Sequence, residues 1–196
     1  MYNSLDRLYY HILESSRHPD RVRQVVGTII LLADPLSAGT LGQLLRLDVG
    51  GIRLALRRLQ SVLVIPQDDD RPILVFHPSF HDFLTARSRA GHFYVDVSTH
   101  HTNIARLCLK IITTAGCVRR QGTTTAEAGA LTYAGQYWFE HIRLSNVSLP
   151  DLAPFATMSP PSLAHAAKIN DLVSARNFFD DYITVSKLRH LIFESG

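Results

Sequence analysis

The chain has 196 residues, is 46% hydrophobic and 19% charged, and carries a formal net charge of +3. This composition excludes an intrinsically disordered protein and leaves room for a sizeable core, while the charge is too small to argue for nucleic-acid binding by itself. The longest apolar run, residues 27 to 33, falls far short of the roughly 20 residues of a membrane-spanning helix, and no amino-terminal signal pattern precedes it.

Residues 4 to 15 read as a helix. Ser4 is a candidate N-cap, and Leu5, Leu8, Tyr9, Ile12 and Leu13 share one face. After a break, Asp20 to Ala33 reads as a second helix, apolar nearly all round in its second half and therefore expected in the core. Asp34-Pro35 ends it, because proline pushes the residue before it out of the helical region. Ser37 caps a third helix running to about Leu47. Gly50-Gly51 introduces a fourth, with Ile52, Ala55, Leu56 and Leu59 inside and Arg53, Arg57 and Arg58 outside. Val62 to Ile65 and Ile73 to Phe76 read as two strands around a polar turn that contains Asp68, Asp69 and Asp70. Three helices and a hairpin, in that order, predict a winged-helix domain.

The second strand runs into His77. Pro78 then starts a helix with Phe80, Phe83 and Leu84 on one face, so a titratable side chain sits at a junction between two apolar elements. Residues 87 to 98 read as a loop, 99 to 113 as a helix, 115 to 125 as a mobile Gly/Thr-rich loop, and 131 to 142 as an aromatic helix. Beyond Ser145, four prolines punctuate the chain, and 162 to 170 and 171 to 185 read as short helices. The expected fold is mainly α: a helical bundle with a winged-helix domain and its small β-hairpin wing, followed by an irregular, superhelical-like region. The expected segments are a helical one at 1–34, a winged-helix-like domain at 35–90, a helical extension at 91–145 and a helical tail at 146–196.

The chemistry is mostly a matter of what the sequence lacks. A phosphate-cradling loop needs glycines and a lysine in the pattern GxxxxGK[ST], and no glycine here is followed by lysine. His77 and His81 stand four apart, but Pro78 leaves His77 outside the helix and no metal-ligand spacing is completed, so no metal site is expected. Ser79 lies beside His77, yet no nucleophile-elbow pattern or orienting acid accompanies it, and Cys108 falls on an apolar helix face. The chain is therefore expected not to be an enzyme, and to hold no cofactor alone. Arg46, Arg53, Arg57 and Arg58 could line a duplex-binding face, but the acidic turn at Asp68 to Asp70 opposes it. Two cysteines, Cys108 and Cys117, make no disulfide framework, and a soluble, cytoplasmic protein is expected. From local pattern alone, His77 reads as a buried cap on its strand.

Several ordered blocks carry a family resemblance. Leu5-Asp-x-Leu-Tyr-x-x-Ile-Leu13, Val26-Gly-Thr-Ile-x-Leu-Leu-x-Asp-Pro-Leu-Ser37, Leu41-x-x-Leu-Leu45, Leu56-x-x-Leu-x-Ser-Val-Leu63, Phe76-His-Pro-Ser-Phe-His-Asp-Phe-Leu84 and Tyr133-Ala-x-x-Tyr-Trp-Phe-Glu-His-Ile142 follow one another in the sequence. Together they resemble the region just after the nucleotide-binding core in fungal NACHT-type STAND NTPases, the NOD-like signalling proteins. The resemblance spans roughly residues 4 to 142. It implies a helical and winged-helix segment that closes over nucleotide held by a preceding P-loop module, with the winged helix's histidine approaching the β-phosphate of ADP in the closed, inactive state. That residue here is His77. The resemblance implies an NTPase domain, in cis or in trans, as the partner, with other protein domains, no membrane and no nucleic acid. The helix pattern begins abruptly, as in a piece cut from a longer chain; otherwise the chain is a reduced family member that binds partners. The alternatives are a DNA-binding winged-helix protein and a stand-alone helical interaction module. The second would display Leu8, Tyr9, Val26 and Ile30 as an exposed apolar patch.

Overall fold

A computed structural model describes residues 4–16, 18–117 and 123–146. They are mainly helical, with one two-stranded antiparallel sheet among them. The chain divides into two compact units, Met1–His100 and His101–Gly196. The expected segments 1–34 and 35–90 both lie inside the first. The expected tail 146–196, with its two short helices, lies outside the described residues apart from its first residue, as do residues 118 to 122 of the loop placed at 115 to 125, whose first three residues belong to a helix instead.

The first unit opens with α1, Ser4–Glu14. Its buried face differs from the expected one. Tyr9 and Leu13 are inside, but Leu5 and Leu8 are exposed, and the residue that completes the inner face is Asp6, only 2% exposed. The reason is an ion pair. Arg89 donates from Nε to Asp6 Oδ2 at 3.0 Å and from a terminal nitrogen to Oδ1 at 2.6 Å. A two-pronged guanidinium–carboxylate contact can hold a carboxylate in the interior where apolar periodicity would place a leucine.

Helix α2, Pro19–Leu31, starts on its proline and buries Val22, Val25, Val26, Ile29 and Leu31. It stops two residues before the expected end, where Leu32 turns extended. At Gly27 the surroundings leave no room for a side chain: a Cβ there would stand 2.5 Å from Nε2 of His100. Ser37 caps α3, Ala38–Leu45, its hydroxyl accepting the Thr40 N–H at 3.1 Å. The far end closes in a Schellman turn. The Leu47 N–H reaches back to the Gly42 carbonyl at 2.9 Å, and Arg46 takes the left-handed conformation at φ 58°. Helix α4, Val49–Leu56, is capped by Asp48, whose carboxylate accepts the Gly51 N–H at 2.7 Å.

The hairpin pairs β1, Leu63–Val64, with β2, Leu74–Val75, in the register Leu63↔Val75 and Val64↔Leu74. Both strands are shorter than expected because neighbouring backbone groups are engaged elsewhere. The Val62 and Leu63 N–H groups bond to the Leu59 carbonyl in the turn after α4, and the Ile73 N–H bonds to the Leu36 carbonyl. That last bond, with an isolated bridge between Ser37 and Pro72, ties the hairpin to the entry of α3. Helices α2, α3 and α4 with this hairpin supply the helix–helix–helix–hairpin order of a winged helix. Beyond it come α5, Ser79–Leu84, and α6, Arg87–Ala90, followed by a 3-10 turn at Gly91–Phe93. The sequence reads α5 as a helix, but α6 and the 3-10 turn as loop. A single helical turn is too short to show a period, and α6 forms because the Arg89 and Ala90 N–H groups converge on the Ala86 carbonyl.

Helix α7, Val97–Cys117, starts two residues earlier than expected, with the Asp96 carboxylate accepting the Thr99 N–H at 2.8 Å. That bond holds the Asp96 carboxyl below its ordinary value. Helix α8, Thr125–Arg143, starts six residues earlier than expected on a capping box between Thr124 and Glu127. In the second unit Ile104, Cys108 and Ile112 on α7 are buried, as are Ala130, Tyr133, Ala134 and Trp138 on α8. No described helix is long and apolar enough to cross a membrane.

The Asp6–Arg89 pair sets the first expectation. Asp6→Ala leaves a guanidinium without its carboxylate. Because 32% of the Arg89 side chain stays exposed, the loss falls at the low end for a broken buried pair, about 3 kcal/mol. Chemical denaturation measures it, and Asp20→Ala, which removes an exposed carboxylate, serves as the control with no measurable change.

Candidate functional site

His77 stands where β2 gives way to α5, and its imidazole is exposed rather than buried as local pattern suggests. Pro78 already has helical angles, φ −60° and ψ −27°, one residue before the helix proper. The proline fixes that angle and brings no N–H of its own, so the first N–H needing a partner is that of Ser79. His77 supplies it. Nδ1 accepts the Ser79 N–H at 3.1 Å and lies 2.7 Å from Ser79 Oγ. Ser79 Oγ is in turn 2.7 Å from the hydroxyl of Tyr9, which arrives from α1. The Tyr9 ring meets Phe80 edge-on at 5.1 Å and Phe83 at 5.4 Å. A chain of three polar side chains thus runs from the interior to an exposed imidazole.

The other singled-out residues are not brought to this point. His81 turns to Asp82, 3.4 Å away. Cys108 is fully buried on α7, and burial pushes its thiol well up, which makes it a packing residue. Among the described residues no three His, Cys, Asp or Glu side chains could hold a metal.

The arginines divide. Arg53 is drawn onto the hairpin turn: Nε bonds to Asp69 at 2.8 Å, and a terminal nitrogen bonds to the carbonyls of Gln67 at 2.6 Å and Pro66 at 3.2 Å. Arg46, Arg57 and Arg58 are exposed. The acidic turn therefore neutralises the middle of the face that duplex binding would need. The apolar patch expected of an interaction module is not formed either, since Tyr9 and Val26 are buried. Exposed apolar side chains of the first unit include Leu5 and Leu8 on α1, Leu54 on α4, Val64 and Leu74 on the hairpin and above all Phe76, which is 73% exposed directly before His77.

One polar cluster escaped the sequence reading. In the second unit His101 of α7 and His141 of α8 are buried with their Nδ1 atoms 2.7 Å apart, and the Tyr133 hydroxyl lies 2.7 Å from the other nitrogen of His141. Loss of water, reinforced by the charge of His101, pushes His141 down from 6.5 to about 4. A signal existed. His101, Ile104 and Cys108 share the i, i+3, i+7 face of α7, and Tyr133, Ala134, Trp138 and His141 keep the same period on α8. In the first unit burial likewise lowers His100, which lies over Gly27 with its Nδ1 unpaired.

The depressed value of His141 has a definite sign. Between about 4 and 6.5 the unfolded chain binds the proton and the folded one does not, so stability rises with pH across that window. The contribution is fully present above 6.5 and is lost as pH falls towards 4, about 3 kcal/mol in all. Thermal unfolding followed from pH 7 to pH 4 should fall accordingly, and His141→Gln should flatten that part of the profile.

Comparison of the chain with protein-family models, curated proteins and solved structures finds no match.

Proposed function

We propose that this chain is a non-catalytic regulatory and interaction region of a NACHT-like signal-transduction NTPase, cytoplasmic, which closes over ADP when the NTPase domain is supplied in cis or in trans. One observation carries the reading. His77 is exposed at a strand-to-helix junction with Nδ1 turned onto Ser79, which leaves Nε2 facing outward as a donor. A phosphate oxygen is the acceptor that gains most from such an N–H, because a hydrogen bond to a charged partner is about twice as strong as a neutral one. Phe76 beside it is the kind of exposed apolar side chain that a docked domain would cover.

The mechanism is conformational. His77 meets the nucleotide only when the two parts are closed, so ADP favours the closed arrangement by the free energy of the contacts made there and lost on opening. The tying of Arg53 to Asp69 argues against a duplex-binding role, because it removes a cation from the middle of the face that would meet the phosphates.

With an NTPase domain of this class present, His77→Ala should weaken ADP binding by about tenfold or more, the worth of a hydrogen bond to a charged group, and raise basal activation. Titration calorimetry and an activation assay read the two effects. Unchanged affinity together with unchanged activation would remove the reading.

A further inference from the structure

We propose that Tyr9 and Ser79 are positioning residues that hold His77 in a single tautomer, proton on Nε2 and lone pair on Nδ1, so that the site accepts an anionic oxygen and turns away a metal ion. What the tautomer is for rests on the reading of His77 as a ligand contact; the tautomer itself does not.

The order of protons follows from the partners one at a time. The backbone N–H of Ser79 can only donate, and it points at Nδ1 from 3.1 Å. Nδ1 is therefore an acceptor and carries no proton. Ser79 Oγ, 2.7 Å from the same nitrogen, must then be the donor of that bond. With its one proton committed, Oγ can only accept from the Tyr9 hydroxyl, also 2.7 Å away. Tyr9 donates to Ser79, Ser79 donates to His77, and the ring proton is left on Nε2. The exposed nitrogen offers an N–H and the inner one is occupied, so neither presents a lone pair to a metal.

The device also has a foundation. Tyr9 is buried, its ring lies against Phe80 and Phe83, and its helix is pinned by the Asp6–Arg89 pair. A hydroxyl so fixed cannot easily turn to reverse the chain. Side chains that orient an imidazole through its inner nitrogen are a known way to define which ring nitrogen faces a ligand.

Long-range proton–nitrogen spectra of the full-length chain labelled with 15N-histidine report the tautomer directly, with the His77 signals identified by their loss in His77→Ala. The wild type should show the Nε2–H form. Ser79→Ala should raise the ratio of the Nδ1–H to the Nε2–H form by about threefold to tenfold, the worth of one net hydrogen bond. Tyr9→Phe, which keeps the ring contacts, should raise it less, and Ser79→Thr should restore the wild-type ratio. A wild-type His77 protonated on Nδ1 overturns the inference. So does a ratio that stays fixed in both Ser79→Ala and Tyr9→Phe with their circular dichroism unchanged. The expected tautomers combined with unaltered ADP affinity in His77→Ala would uphold the positioning and remove only the ligand assigned to it.

Discussion

A helix of six residues makes too few internal hydrogen bonds to persist in water. Helix α5 exists because its side chains are held from outside: Phe80, Phe83 and Leu84 are buried and Tyr9 lies across both rings. Everything at the candidate site depends on that anchorage. The aromatic face fixes α5, α5 fixes the N–H of Ser79, and that N–H fixes the imidazole two residues before it. Burial of Tyr9 is itself backed by the paired Asp6 one turn earlier on α1. The exposed histidine is thus the last link of a chain that starts in the core.

The parts of this fold legible in the sequence are those whose causes are local. The Ser37 cap, the proline before α5 and the hairpin around an acidic turn each rest on residues within a few positions of one another. The inner face of α1 is not legible in the sequence because its decisive residue, Asp6, owes its burial to a partner 83 positions away. Periodicity assigns an acid to the surface unless the partner is known. The strands came out short for a related reason: the Leu36 carbonyl takes the Ile73 N–H. At the candidate site, His77 and Ser79 could be picked out by position, but the contribution of Tyr9 required α1 and α5 to be brought together.

Two arginines of the first unit are turned onto the fold rather than outward. Arg89 is held by Asp6 and Arg53 by the turn at Asp69, so both join elements of the fold, and Arg53 is lost to the basic face it could have helped to line. Planar guanidinium suits this use, because it can bridge a carboxylate and backbone carbonyls at once. In the second unit the buried polar cluster is built from aromatic rings. Two imidazoles and a phenol are hydrogen-bonded in line there, His101 to His141 and His141 to Tyr133. The two units therefore solve the same problem, a polar group inside a helical core, with different chemistry.

Arg46 has a consequence for which changes the chain can accept. It is exposed, and by burial alone any residue would serve there. Its backbone nonetheless lies at φ 58°, a region that side chains branched at Cβ enter only under strain. Position 46 should therefore behave as a selective surface site, open to glycine or asparagine and closed to valine or isoleucine. Tolerance along this chain is set at such points by the turn of the backbone rather than by depth beneath the surface.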